Sequence, residues 1–283
     1  MTLPPYIHKK GPGCALHLYH ANGFSNGVYA PLLDRLSEQY NVYAMGNRAT
    51  WPKAGLPSHK NWHVFADDLI EFIETKVGEP IIGVGHSMGA SNTVIAANKR
   101  PDLFKALVLI EPAMVNLKLA TLGKLLPKRI LQKSNLYQGT LRKRHRFDNV
   151  EEYSQYIRRF KGYQKFPEES YKAFEEHAIR AQKNGDYSLV FPKEWEAYNY
   201  TMPVYLMNEI RKLGSRFNNI PTVAIKGHSN NLFDDALWDR WQDIQDNALF
   251  IEKTDYGHLM PMESPEDTYK IILKGLEELS VEC

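Results

Sequence analysis

Apolar residues fall along this chain in two alternating patterns. Short, nearly unbroken apolar runs occur at Ala15–Tyr19, Asn41–Met45, Ile81–Val84, Lys105–Ile110, Ile220–Lys226 and Ala248–Glu252. Runs of this length, rich in Val, Ile and Leu, predict strands buried on both faces. Between them lie stretches with helical spacing. Val28–Ser37 sets Leu32, Leu33 and Leu36 on one face, and Asn61–Lys76 carries a stripe of Phe65, Leu69, Ile70, Phe72 and Ile73 behind an Asn61 cap. Helices are also predicted from Ala90 to Lys99, over Asp234–Ile244, and from Ser264-Pro265 to about Leu279. Alternating strands and helices imply a mainly parallel sheet covered on both faces, with functional loops at the carboxyl ends of its strands.

The alternation stops between residues 113 and 214. That segment shows no buried parallel strand. It shows helical stretches at Val115–Leu125, Val150–Phe160, Glu168–Lys183 and Glu194–Leu213, with a turn at Asn184-Gly185-Asp186. The pattern therefore divides the chain into an α/β core, residues 1–112 and 215–283, and a helical insertion, residues 113–214. Thirteen aromatic residues lie between Tyr153 and Tyr205. Most are expected to form the insertion's own core, and the remainder to line an apolar pocket.

Composition adds exclusions. The 283 residues are 43% hydrophobic and 24% charged, ordinary for a globular chain. A net charge of +2 gives no overall attraction for polyanions, and no nucleic-acid-binding pattern appears. The basic residues are nonetheless clustered. Lys118 to Arg146 contains no acid, and Arg142-Lys143-Arg144-His145-Arg146 is its densest part. A solvated face is one reading of that run; contact with a peripheral anionic membrane or an anionic substrate through residues 118–146 is the other. Two cysteines, Cys14 and Cys283, give no disulfide framework, so a reducing, cytoplasmic setting is expected. No apolar leader or transmembrane-length run appears. No histidine shows ligand spacing with Cys or carboxylates, so neither metal nor cofactor is expected.

The chemistry gathers at Gly85-His86-Ser87-Met88-Gly89, between the apolar run at Ile81 and the helical pattern from Ala90. This is G-x-S-x-G in a strand–turn–helix setting, a nucleophile elbow. The turn is tight enough to need glycine on either side and strain at Ser87 itself. The following helix aims its N-terminal N–H groups at charge forming near the serine. A serine hydroxyl needs a base, and His258, in Gly257-His258 after the last strand, stands in the right place in the strand order. His86, beside Ser87, points away from it along the strand end and is not the base.

With this elbow, His20-Ala21-Asn22 after an early strand and Gly257-His258 near the end, the chain resembles the α/β-hydrolase superfamily over nearly its whole length. The resemblance implies that fold with a helical cap (113–214) inserted after the family's sixth strand, here Lys105–Ile110, and a truncated N-terminal sheet edge. It implies an oxyanion hole from the N–H groups of Met88 and Asn22. It also implies an acid after the family's seventh strand, where this chain has Gly227-His228-Ser229-Asn230, with an amide in place of the carboxylate. Glu111, after the sixth strand, is the favoured acid; Asp234 or Asp235 remain the alternatives. The leading function is a serine hydrolase acting on a small-molecule carboxylic ester or thioester with an apolar acyl part. The alternatives are a C–C bond hydrolase or haloperoxidase-like activity on the same triad, or a non-enzymatic ligand-binding protein on the same fold.

Overall fold

The computed structural model describes residues 4–52, 54–202, 204–214, 219–228 and 235–283. Its main sheet has seven strands: β1 (Tyr6–Lys9), β2 (Ala15–Tyr19), β3 (Asn41–Met45), β4 (Ile81–His86), β5 (Phe104–Ile110), β9 (Thr222–Lys226) and β10 (Ala248–Glu252), in the order β1-β3-β2-β4-β5-β9-β10. Only β1 runs antiparallel to its neighbour, pairing Tyr6 with Met45 and Lys9 with Val42. Among the described residues a single strand, β1, precedes β2 at this edge, where the sequence reads only as turns. The chain moves outward from β2 to β3, then crosses back to β4 on the other side of β2. That reversal opens a crevice at the carboxyl ends of β2 and β4.

The pleat sorts side chains onto two cores. Along β5, Ala106, Val108 and Ile110 enter one cluster while Leu107 and Leu109 enter the other, all fully buried. The first cluster packs against α1 (Ala30–Leu36) and α13 (Pro265–Glu278), through Leu32, Leu33, Leu36, Ile272 and Leu276. The second meets α2 (His63–Phe72), α3 (Met88–Lys99) and α11 (Asp235–Gln242), with Phe65, Leu69, Val94, Ile95, Trp238 and Trp241 filling it. Each such side chain contributes roughly 1.5–3 kcal/mol by leaving water. Helix α13 starts as its sequence predicts, with Pro265 in the first turn and the Ser264 side chain accepting from the Asp267 N–H.

Residues 113–214 hold α4 (Leu117–Leu125), α5 (Lys128–Leu131), α6 (Asn135–Leu141), α7 (Val150–Arg158), α8 (Glu168–His177), α9 (Lys193–Tyr200) and α10 (Met207–Leu213). They also hold a small antiparallel sheet, β6 (Arg146–Phe147), β7 (Ile179–Ala181) and β8 (Tyr187–Leu189), in the order β6-β8-β7. The helix expected over Glu168–Lys183 therefore ends at His177. The Asn184-Gly185 turn closes a hairpin instead of joining two helices, with Gly185 at φ 91° and the Gln182 N–H donating to Asp186 O at 2.7 Å. The stretch Glu194–Leu213 is two helices, not one. Phe147, Tyr153, Phe166 and Phe174 form an internal core with the half-buried Tyr156 and Tyr163, and the exposed Phe160 ring packs on its rim.

The segment hydrogen-bonds the loops that follow the strands. Ser25 Oγ donates to His177 O (2.7 Å), Asn22 Nδ2 to Glu196 O (3.1 Å), Trp195 Nε1 to Gly55 O (2.9 Å) and Ser170 Oγ to Met262 O (2.8 Å). Helix α10 differs: it packs on α3, with Asn98 Nδ2 donating to Glu209 O at 2.8 Å and Met207, Ile210 and Leu213 wholly buried. Cys14 and Cys283 form a disulfide with Cα atoms 4.9 Å apart, which corrects the expectation that the two cysteines give no disulfide. The two are 269 residues apart in sequence. Only the packing of α13 on α1 returns the end of the chain to the start of β2, and no local pattern announces that. Among the described residues, no helix is long and apolar enough to cross a membrane.

Candidate active site

Ser87 is the single residue between β4 and α3 and has φ 54° and ψ −120°, a conformation that costs a non-glycine residue on the order of 1–3 kcal/mol. Its surroundings hold it there. Its N–H donates to Ile110 O (2.9 Å), and its carbonyl accepts from the N–H groups of Ser91 (3.1 Å) and Ala113 (3.2 Å). The two flanking glycines are needed for contact. A Cβ on Gly85 would lie 2.4 Å from the Ala90 Cα, and one on Gly89 would lie 2.1 Å from the Tyr19 carbonyl oxygen. Strand, turn and helix therefore close on one another only with glycine at both positions.

The structure brings Ser87, His258 and Glu111 together. His258 Nε2 lies 3.0 Å from Ser87 Oγ, and His258 Nδ1 lies 3.1 Å from Glu111 Oε2. A carboxylate only accepts, so Nδ1 carries the proton and Nε2 accepts from the serine hydroxyl. Glu111 is wholly buried at the end of β5 and has φ 46°, a second strained backbone in the same site. Its N–H donates to Ile225 O at 2.8 Å, and its Oε1 accepts from the Gly227 N–H. The carboxylate is thus fixed from one side by the loop after β9 and faces the imidazole with the other oxygen. Of the alternative acids, Asp235 pairs with Lys226 Nζ at 2.8 Å, while Asp234 lies outside the described residues, as does the amide Asn230.

A buried relay that the sequence did not announce ties the loops together. The Ala21 N–H donates to Tyr29 OH (3.0 Å), Tyr29 OH donates to His86 Nδ1 (2.6 Å), and His86 Nε2–H donates to His258 O (2.7 Å). Burial, with the nearby His258 second, lowers the His86 pKa to about 3, so it is neutral, as this pattern of donors requires. His20 is likewise neutral, its pKa lowered by burial to about 4; it donates to Ala21 O and accepts from the Asn47 N–H at 2.8 Å. Of these residues, Tyr29 left no sequence signal, because it sits beside an ordinary helical stripe. Arg48 forms a two-pronged pair with Asp68 (2.6 and 2.7 Å) and serves the loop, not the site.

Met88 is the first residue of α3, where backbone N–H groups lack intrahelical partners. Asn22 lies in the loop after β2. Its side chain is clasped from the 113–214 segment, donating to Glu196 O and accepting from Asn199 Nδ2 at 2.8 Å. The Glu196 carboxylate lies over Gly23, whose φ is 84°, and pairs with Lys143. A cleft of about 390 Å³ between Asn61, Lys124 and Tyr205 includes none of Ser87, His258 and Glu111. Among the described residues, no cluster of three or more His, Cys, Asp or Glu side chains is arranged to hold a metal.

The family model for the alpha/beta hydrolase fold matches residues 18–265. The chain belongs to this family. Among relatives of this hydrolase-fold chain is the 2-(acetamidomethylene)succinate hydrolase of Mesorhizobium japonicum, 33% identical over 109 residues, covering 37% of this chain and 38% of that one. Human monoglyceride lipase is 33% identical over 76 residues, a quarter of each chain. The sequence matches thus span well under half of these curated relatives. Solved structures resemble the fold throughout. E-2-(acetamidomethylene)succinate hydrolase superposes with TM-score 0.77 at 21% identity, covering 96% of this chain and 94% of the other. The peroxisomal α/β-hydrolase Lpx1 of Saccharomyces cerevisiae gives 0.75 at 19% identity, covering 96% and 78%.

Proposed function

We propose that the protein is a serine hydrolase that forms an acyl-enzyme on Ser87. The observation that carries this reading is the continuous line Ser87 Oγ–His258–Glu111, with hydrogen bonds of 3.0 and 3.1 Å. His258 Nε2 takes the hydroxyl proton as Ser87 Oγ attacks a substrate carbonyl. Glu111 holds the ring and stabilises the imidazolium. The N–H groups of Met88 and Asn22 are the donors for the oxyanion, each worth about 3–4 kcal/mol in related chemistry. His258 then protonates the leaving group, and water, activated by the same ring, releases the acid. Residues 113–214 act as a cap, and the clasp on Asn22 couples that cap to the oxyanion donor. The substrate is a carboxylic ester or thioester with an apolar acyl part.

A second reading has one observation in its favour. Two relatives are named as hydrolases of substituted methylenesuccinates, which are small dicarboxylates. On this reading the same three residues act on a compact anionic acid, with C–C bond hydrolysis as the reaction considered. A panel of p-nitrophenyl esters of rising chain length, set beside an acetamidomethylene succinate, separates the two. A fluorophosphonate probe is expected to label the wild type and not Ser87→Ala, whose turnover should fall on the order of a millionfold. Unlabelled wild-type protein, or a variant within tenfold of wild type, would refute the Ser87 mechanism.

A further inference from the structure

The basic run from Lys118 does not behave uniformly. In its densest part, Lys143 pairs with the buried Glu196, and Arg144 pairs with Glu152 and lies over the Phe147 ring. Earlier in the run, Lys118, Lys124, Arg129 and Lys133 form no ion pair among the described residues, and all four are exposed. The same stretch holds Leu117 (57% exposed), Leu122 (37%), Leu125 (75%), Ile130 (46%) and Leu136 (49%). These are five of the eight large apolar side chains exposed in the described structure, gathered within twenty residues. Isolated exposed leucines are ordinary, but a cluster of this kind marks a contact surface.

We infer that the outer face of α4–α6 docks on an anionic lipid surface. In α4, Leu117, Lys118, Leu122, Lys124 and Leu125 share the exposed side, while Ala120 is turned inward and 1% exposed. Leucines interleaved with lysines, and no acid, fit a headgroup–acyl boundary: the leucines enter it and the ammonium groups reach phosphate. A second copy of the chain would present the same sign of charge and be repelled. The surface is also joined closely to the nucleophile. The Ala113 N–H is bonded to Ser87 O, and four residues on, at most about 14 Å of chain, is Leu117. Docking there would hold the Ser87 crevice against the interface. The inference itself stands whether or not Ser87 is a nucleophile.

The test is sedimentation of the full chain with vesicles of phosphatidylcholine alone and of equal parts phosphatidylcholine and phosphatidylserine. Four cations near such a surface, at about 1 kcal/mol each, are expected to favour the anionic vesicles on the order of a thousandfold. The preference should shrink steeply between low and physiological salt. The triple variants Leu122→Ser/Leu125→Ser/Ile130→Ser and Lys118→Gln/Arg129→Gln/Lys133→Gln should each lose tenfold or more in binding while keeping the wild-type thermal midpoint. All six side chains are exposed, so folding is not at stake. Equal binding to both vesicle types, binding to neither, or a charge variant that binds like wild type would overturn the inference. Retention on RNA without vesicle binding would also overturn it, by assigning the face to a different polyanion.

Discussion

Glu111 uses both of its oxygens, and this makes one substitution informative. Oε1 accepts from the Gly227 N–H and Oε2 from His258 Nδ1. Glutamine offers one acceptor and one NH2 group: with its oxygen kept on the Gly227 N–H, its NH2 faces His258 Nδ1 and selects the tautomer that carries its proton on Nε2, towards Ser87. Glu111→Gln is expected to lower kcat several-hundredfold or more, since the imidazolium loses its carboxylate. The fold should lose little stability, since the tautomer switch leaves both the Gly227 N–H and the new NH2 paired. Steady-state kinetics and a urea melt read the two effects separately. Asp235→Asn, which removes the charge paired with Lys226, should leave kcat within a few fold; the reverse pattern would move the acid to the loop after β9.

At the scale of elements, α3 sets two magnitudes against each other. Alanine in place of glycine inside a helix ordinarily stabilises by about 1 kcal/mol. At Gly89 the new Cβ would lie 2.1 Å from the backbone of β2, which cannot yield without opening the sheet. Gly89→Ala is therefore expected to cost about 3 kcal/mol or more in a urea melt, since overpacking wins over propensity. The reach of the sequence follows the same division between local and distant causes. β2 and β3 lie where their apolar runs begin and end, because burial on both faces writes itself into consecutive residues; β10 keeps the same bounds although, at the sheet edge, it is only half-buried. Ser87 and His258 were legible from glycine spacing and strand order. Glu111 was one of three open acids, since nothing local shows which carboxylate the loop after β9 will grip. Strand β7 was hidden inside a helical reading and β8 in the stretch after the Asn184-Gly185-Asp186 turn, because both are too short to show a period. The clasp on Asn22 joins residues more than 170 apart in sequence and has no local trace.

Across the whole molecule, the buried histidines set a response to acid. Burial, the largest cause in each case, lowers the pKa of His17 to about 3, of His20 to about 4 and of His86 to about 3. Unfolded, each would titrate near its ordinary value of about 6.5. Between that value and the folded ones the unfolded chain binds more protons, so stability rises with pH there and is lost as pH falls from about 6.5 towards 4. Unfolding free energies from urea melts at pH 7, 5 and 4 should fall in that order, by roughly 10 kcal/mol at most over the three rings; a flat series would show that these rings are not held neutral. The Cys14–Cys283 bond acts on the other side of the folding equilibrium. Oxidised, the chain does not unfold into an open coil but into a ring that encloses nearly every residue. A ring of that size has lost chain entropy of about 5 kcal/mol before folding starts. The linkage touches none of the catalytic geometry, yet it makes the denatured protein, more than the native one, the state that records whether its surroundings are oxidising.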